Sequence, residues 1–289
     1  MKIFFTADIH WIGSWKSKSL FSLRDQWTKA NADLLVVAGD LAVAYEARET
    51  CKLLRKIAGD KPIVVTLGNH DYWTGERFLR KGVNLEEVED HYWIPAFKEF
   101  DIHFLDRGNY SLSGKMEIVG CYGHYDLGFA IPELQIEADM VSESNYLEGR
   151  HPSFPKEVYW NDCLYMPCKR GLFAEAYRQA VIIKKHLQNT GNKRIILVTH
   201  TVPFLELRDF SENQDLVSQF CRAYLGSKAI AKEIAPYTSQ IDLLVCGHSG
   251  PRVGPVSVHG MTGINIGSEY GKPLSYIHDP SQKIKMIAK

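Results

Sequence analysis

The 289-residue chain is 45% hydrophobic and 24% charged, a composition typical of a globular protein that can bury a sizeable core without disulfide bonds. Its 34 basic and 34 acidic side chains balance, which argues against a binding surface for extended nucleic acid because such surfaces are strongly basic. The sequence contains no apolar run of the ~20 residues that a membrane helix needs and no export signal, and its six cysteines have no spacing typical of a disulfide framework. We therefore expect reduced thiols, a cytoplasmic location and no membrane partner.

The first part of the chain alternates between strand-like and helix-like segments. Segments 2–7, 33–39 and 62–68 are continuous apolar runs of strand length, as found in strands buried on both faces. Between them, residues 20–31 and 44–58 carry apolar side chains at helical spacing. This alternation predicts a parallel sheet with crossover helices.

A long irregular segment at 126–170 interrupts the pattern. It has little periodicity and contains four prolines, at positions 132, 152, 155 and 167. A loop of this length in a compact domain is usually functional or mobile. We expect one domain, residues 1–289, with a cap-like insertion at about 126–170 that covers the functional site.

The remaining segments predict one helix and further strands. Residues 172–188 have a helical pattern, while 194–199 and 241–247 resemble the first three apolar strands. Short runs broken by Gly, Pro or Asp predict antiparallel strands joined by turns; these are 110–112, 117–122, 253–258, 261–266, 274–279 and 283–287.

Polar residues follow each of the five apolar strands directly. Ligands of open α/β sheets bind beyond the carboxyl ends of the strands, so we expect these side chains to converge. Imidazole, carboxylate and amide groups suit divalent ions such as manganese, iron or zinc, and a pair of such ions can clamp a displacement at phosphorus. In strand order, the residues are Asp8 and His10; Asp40; Asn69, His70 and Asp71; His200; and His248.

Each of these motifs has a simpler explanation when it is taken alone. Asp-x-His occurs often by chance, Asp40 could cap the next helix, and a single buried histidine is usually structural. The metal-site hypothesis depends on the occurrence of all five motifs in order, each after a strand.

The series D-x-H, GD, GNHD, a histidine after a strand and a final GH resembles the motifs of the calcineurin-like metallophosphoesterase superfamily. The motifs extend from Asp8 to His248, over most of the chain. The strings YGHYD (122–126), WND (160–162) and AYLGS (223–227) resemble bacterial cytosolic members with no assigned substrate. The resemblance implies an α/β fold in which two mixed β-sheets pack as a sandwich flanked by helices.

The resemblance also implies a role for each motif residue. His70 would lie over the phosphate and assist the leaving oxygen without binding metal, and Asp71 would accept a hydrogen bond from His70 and orient it. The implied activity is hydrolysis of a small phosphomonoester or phosphodiester by in-line attack of a metal-bridging hydroxide, with manganese favoured over iron or zinc. The implied ligands are Asp8 and His10 for the first metal, Asp40 for both metals, and Asn69, His200 and His248 for the second.

The sequence departs from the superfamily pattern at Gly250, where a second histidine usually binds the first metal. Water could fill the gap, because catalytic zinc sites can function with three protein ligands, or His124 or His259 could substitute. Alternatively the first metal is lost, and the chain is a weakly active or non-catalytic member that binds a nucleotide or a protein.

The substrate is expected to be a small phosphoester, possibly a nucleotide. We expect Tyr122 and His124, next to the insertion, to bind it. Aromatic side chains of the insertion, Tyr146, Tyr159 and Trp160, could stack on a nucleobase or could pack in a local core. The sequence leaves the oligomeric state open.

Overall fold

The computed structural model describes residues 1–13, 18–210, 215–269, 272–282 and 284. Within these ranges the strands are β1 Ile3–Thr6, β2 Leu34–Ala38, β3 Ile63–Thr66, β4 Ile102–Phe104, β5 Tyr110–Ser113, β6 Met116–Cys121, β7 Gln135–Ile136, β8 Asp139–Met140, β9 Arg194–Thr199, β10 Ile241–Cys246, β11 Val253–Val258, β12 Met261–Asn265, β13 Ser268–Glu269, β14 Lys272–Pro273 and β15 Ser275–His278. The α-helices are α1 Lys18–Ala30, α2 Ala47–Ala58, α3 Glu76–Lys81, α4 Leu85–Val88, α5 Ile94–Glu99, α6 Glu143–Glu148, α7 Asp162–Tyr165, α8 Leu172–Gln188, α9 Leu216–Cys221 and α10 Lys228–Ile234.

Two large mixed sheets contain the five apolar segments as strands. The first sheet has the order β15-β1-β2-β3-β4, in which only β15 is antiparallel to its neighbour. The second has the order β11-β12-β10-β9-β6-β5, with four parallel central strands between antiparallel edges. The predicted strands at 253–258, 261–266 and 274–279 correspond to β11, β12 and β15; the one at 283–287 lies outside the described residues except for residue 284.

The two sheets pack face to face, and helices cover their outer faces. Phe5 and Val36 of the first sheet meet Val198 and Val245 of the second in one fully buried cluster. Successive strand residues point to opposite faces, so Phe4 packs outward in a cluster with residues of α1, α2 and α5. Helices α8 and α10 cover the second sheet in the same way. The expected α/β sandwich flanked by helices is confirmed.

The segment at 126–170 has more regular structure than its sequence pattern indicates. It contains the β7–β8 pair and the short helices α6 and α7, which are too brief to produce a visible periodicity. Its aromatic residues Tyr146 and Phe154 pack with Phe220 and Tyr224 of the α9 region in a separate buried cluster. Among the helices of the described residues, none combines the length and apolar character needed to cross a membrane.

Candidate metal centre

The carboxyl ends of β1, β2, β3 and β10 open into one cavity of about 550 Å³. Histidine 200, which follows β9, is fully buried beside this cavity. Loops beyond strand ends therefore bring together side chains that are far apart in the sequence. The predicted site residues that line the cavity are Asp8, His10, Asp40, Asn69, His70 and His248.

Asp40 lies between two groups of possible metal ligands. Its Oδ2 atom is 3.6 Å from Nε2 of His10, and its Oδ1 atom is 3.4 Å from Nε2 of His200. The ligand atoms of His10, Asp40 and His70 lie within 4.8 Å of one another, as do those of Asp40, His200 and His248. A carboxylate shared by two groups has the geometry that a bridging ligand requires.

In the second group, two ring nitrogens lie close to the side-chain oxygen of Asn69. Oδ1 of Asn69 is 3.0 Å from Nε2 of His200 and 3.0 Å from Nδ1 of His248. The other ring nitrogens face backbone carbonyls, at 2.9 Å from Ala38 and 3.0 Å from Tyr224. With a cation bound, the outer nitrogens would donate to these carbonyls, and the inner nitrogens and the amide oxygen would direct lone pairs to the cation. This set of atoms fits a divalent cation.

The ionisable side chains of this group shift one another's pKa values. Burial acts to lower the pKa of His200, but the carboxylate of Asp40 raises it to about 9. Burial acts to raise the pKa of Asp40, yet His200 and then His70 hold it well below its usual value. Burial lowers the pKa of His248 to about 3. In the metal-free chain, a proton on His200 therefore offsets the charge of Asp40, and a cation would displace that proton.

Asp8 belongs to neither of the two ligand groups in this structure. Its two carboxylate oxygens accept from the backbone N–H of His248, at 3.1 and 3.2 Å. Burial raises the pKa of Asp8 to about 7, with Asp40 adding to the rise against the effect of His200. Of the ligands implied for the first metal, His10 and Asp40 are therefore close together, whereas Asp8 lines the cavity beside them.

Several of these residues have an unusual backbone conformation. Asp8, His10, Asp40 and His248 have φ values of 52°, 44°, 53° and 70°. Residues other than glycine rarely adopt this left-handed region, and such strain concentrates at functional sites. Four predicted ligands of the centre thus share this backbone conformation just beyond β1, β2 and β10.

Two motif glycines allow the ligands to approach each other. A Cβ atom on Gly68 would lie 2.3 Å from Oδ1 of Asp40, and one on Gly39 would lie 2.3 Å from Nδ1 of His200. Any side chain at these positions would displace a ligand. The glycines of GD and GNHD are therefore needed to form the centre.

At the cavity, the ring of His70 contacts two aromatic rings rather than the carboxylate of Asp71. Its ring stacks on Trp73 with centroids 3.8 Å apart and meets the ring of His10 at 4.5 Å. Trp73 also lines the cavity, which could not be predicted because a tryptophan after a metal motif carries no specific signal.

The hydrogen bond predicted from His70 to Asp71 is wrong. Asp71 is fully buried, and its oxygens accept from the backbone N–H of Ala42 at 2.9 Å and of Gly68 at 2.7 Å. The carboxylate thus joins the loops that carry Asp40 and Asn69. Adjacency in sequence is misleading here because a 3₁₀ turn at His70–Tyr72 points neighbouring side chains in different directions.

Gly250, where superfamily members usually have a histidine, lies next to an arginine. Gly250 has a φ of 83°, and a Cβ atom there would lie 3.0 Å from Nη1 of Arg208. The same guanidinium donates to the backbone carbonyl of Ser249.

Neither of the two histidines that could substitute at this position lies with the ligand groups in this structure. His259 lies on the turn before β12, at the end of the strand away from the cavity, and its Nε2 atom is 3.5 Å from Glu206. His124 belongs to neither ligand group.

The expected substrate contacts of Tyr122 and His124 are also corrected. Tyr122 is fully buried and packs on Tyr72, and His124 is 1% exposed, with Nδ1 3.1 Å from the Tyr122 hydroxyl. Tyr146 is buried and stacks on Phe220. The insertion instead contributes Tyr159, Trp160, Asn161 and Asp162 to the cavity lining.

Comparison with solved structures identifies similar folds. A phosphopantetheinyl hydrolase from Mycobacterium tuberculosis is 16% identical, with a TM-score of 0.70 over 98% of each chain. A dimetal phosphatase from Danio rerio is 13% identical, with a TM-score of 0.49 over 92% of this chain and 87% of that one. Among curated protein sequences, none matches the chain significantly.

A family model described as calcineurin-like phosphoesterase matches residues 1–251, which contain every motif residue of the centre. The model covers most of the chain, and the ligand groups described above agree with the dinuclear divalent metal site of that family. The chain therefore belongs to the calcineurin-like phosphoesterase family and is a metal-dependent phosphoester hydrolase.

Proposed function

We propose that the chain hydrolyses a small phosphomonoester or phosphodiester at this centre, with manganese as the favoured metal. The position of Asp40 is the observation that carries the proposal, because its two oxygens lie near His10 and near His200. Imidazole, carboxylate and amide oxygen together suit manganese, and an amide oxygen is a harder ligand than zinc usually has.

The side chains have separate tasks in this proposal. Asp8, His10 and Asp40 hold the first cation, and Asp40, Asn69, His200 and His248 hold the second. When bound, the two cations supply positive charge to the phosphate oxygens and a nucleophile near neutral pH.

His70 is proposed to give a proton to the leaving oxygen. It is half-buried at the cavity, and Trp73 fixes the plane of its ring by stacking. Imidazole is the side chain best suited to proton transfer near neutral pH. Asp71 contributes by holding the two loops rather than by orienting the ring.

The cavity favours a small substrate that carries a planar or apolar group. Its volume of about 550 Å³ lies in the range of small-molecule sites. Trp73, Tyr159 and Trp160 line it together with the proposed metal ligands. Aromatic walls of this kind suit an aryl group or a nucleobase, and the balanced net charge does not favour a polynucleotide.

The direct test is turnover of an aryl phosphomonoester and an aryl phosphodiester with added manganese. Asp40→Ala should abolish turnover of both, while Asp60→Ala, an exposed carboxylate on the turn before β3, should leave it unchanged. A phosphopantetheine ester belongs in the panel, since the structural neighbour is named for that substrate. No turnover with manganese, iron or zinc would refute the proposal.

A second candidate is a weakly active or non-catalytic member that binds a nucleotide or a protein. Two observations favour it, namely Gly250 in place of the usual histidine and Asp8 turned towards β10. Elemental analysis separates the candidates, because two manganese ions per chain would argue against an eroded first site.

A further inference from the structure

The side chain of Asp162 lies at the junction between the insertion and the metal centre. Asp162 is the first residue of helix α7 and is 2% exposed. Four donors surround its carboxylate, which matches the number of acceptor positions that an ionised carboxylate offers. Oδ1 accepts from Nδ2 of Asn69 at 2.9 Å and from Nε1 of Trp73 at 2.6 Å, and Oδ2 accepts from the hydroxyl of Tyr125 at 2.9 Å and from Nε1 of Trp160 at 3.1 Å.

The contact with Asn69 determines which atom this amide presents to the cavity. A carboxylate accepts hydrogen bonds and cannot donate them, so the side of the amide that faces Asp162 must be the nitrogen. The oxygen then faces His200 and His248, at 3.0 Å from each ring nitrogen. An amide turned by 180° would present N–H groups to the cation and could not bind it.

We infer that Asp162 is a positioning residue for the second metal: it holds the oxygen of Asn69 towards the cation and thereby couples the insertion to metal binding. The inference rests on the proposed function, because it takes Asn69, His200 and His248 as metal ligands. Partners that orient metal ligands typically change metal affinity by ~10–100-fold when they are removed.

The coupling should act in both directions. Asp162 also holds Tyr125 and Trp160, which belong to the packing of the insertion. Linked equilibria are reciprocal, so an insertion that strengthens metal binding must itself be stabilised by the metal. Manganese should therefore slow amide hydrogen exchange in α7 and the residues before it.

The alternative role for Asp162 is that of an anchor that only stabilises the insertion. Tyr125→Phe is the matched control, since it removes one donor from the same carboxylate without touching Asn69. Asp162→Leu keeps about the size of the side chain but removes every acceptor, so that nothing holds the amide of Asn69 in place. The double variant Asp162→Leu/Asn69→Ala tests whether the effect passes through Asn69.

The experiment is calorimetric titration of the metal-free chain with manganese chloride, with a thermal melt of each metal-free variant. We expect Asp162→Leu to weaken the second site by ~10–100-fold, Tyr125→Phe to weaken it much less because Asp162 keeps its contact with Asn69, and the double variant to bind no worse than Asn69→Ala. Equal affinity losses in Asp162→Leu and Tyr125→Phe, or additive losses in the double variant, would overturn the inference.

Two further measurements distinguish a failure of this inference from a failure of the proposed function. A wild-type chain that binds none of manganese, iron and zinc refutes the proposed function, whereas unchanged affinity in Asp162→Leu refutes only the role of Asp162. If Asp162→Leu does not fold, hydrogen exchange of the wild-type chain decides, because unchanged exchange at 159–165 on addition of manganese overturns the coupling.

Discussion

The amide oxygen of Asn69 lies 3.0 Å from Nδ1 of His248, although 179 positions separate the two residues in the chain. The other ring nitrogen of His248 faces the carbonyl of Tyr224, and a neutral ring has one proton for these two acceptors. One of the two contacts therefore joins acceptor to acceptor in the metal-free chain. A cation between Asn69 and His248 would satisfy the inner contact and leave the proton for the carbonyl of Tyr224.

Removal of the metal should lower the free energy of unfolding, and the size of the loss should depend on the contact between Asn69 and His248. At one hundred times the dissociation constant, manganese should add about 2.7 kcal/mol to the free energy of unfolding, measured by urea titration with and without a chelator. His248→Ala should lose most of this gain. His259→Ala, a histidine outside the centre, should keep it, and an undiminished gain in His248→Ala would contradict the assignment.

Substitution of His70 should affect turnover more than metal content. His70→Gln should lower kcat by ~10²–10⁴-fold, the usual contribution of a proton-transfer group, while the manganese content per chain stays at the wild-type value. His10→Ala is the comparison, because it should lower metal content as well. The proposed role fails if His70→Gln loses as much manganese as His10→Ala.

Gly250→His should destabilise the chain rather than restore a ligand. The φ of 83° strains any other residue there, and the new Cβ would lie 3.0 Å from Nη1 of Arg208. A residue forced into such a conformation typically costs ~1–3 kcal/mol, which a thermal melt detects.

Gly250→Ala separates the two possible effects of that substitution, since it adds the strain without the imidazole. We expect both variants to lose similar stability and to need as much manganese as the wild type for half-maximal activity. A lower manganese requirement in Gly250→His alone would show that the histidine reaches the first metal.

His124 should make the metal-free chain sensitive to acid. Burial lowers the pKa of His124 to about 3, while an unfolded histidine titrates near ~6.5. The unfolded chain therefore binds the extra proton between these values, so stability is complete above the unfolded pKa and falls as the pH decreases towards the folded pKa. At ~1.36 kcal/mol per pH unit, this histidine alone accounts for a loss of about 2 kcal/mol between pH 6.5 and pH 5.

The matched variant is His124→Gln, which retains a hydrogen-bonding group for the Tyr122 hydroxyl. In urea titrations with a chelator present, its free energy of unfolding should fall less steeply over the same pH interval. Identical slopes for the two chains would mean that His124 takes up protons in the folded chain as it does in the unfolded chain.

Patterns of local sequence predicted the sheets and the polar residues at their ends. Continuous apolar runs predict buried strands, and parallel strands place their carboxyl ends at one edge, so Asp40, Asn69 and His248 were expected to meet. The contact that the resemblance implied for Asp71, and the substrate contacts expected of Tyr122 and His124 from their place next to the insertion, are absent from this structure. Side-chain direction after a strand depends on loop conformation, and sequence spacing does not determine that conformation.

By itself, the sequence determined the parallel strands and the polar residues that follow them, because both depend on apolar runs and on the residue types at their ends; its resemblance to a known family implied the α/β sandwich and the ligand set. Only the tertiary structure decided the partners within the centre: Asp71 joins two loops, Arg208 lies beside Gly250, and Asp162 holds the amide of Asn69. These contacts join segments distant in the chain, and hydrogen-bond direction and burial exist only once those segments have packed.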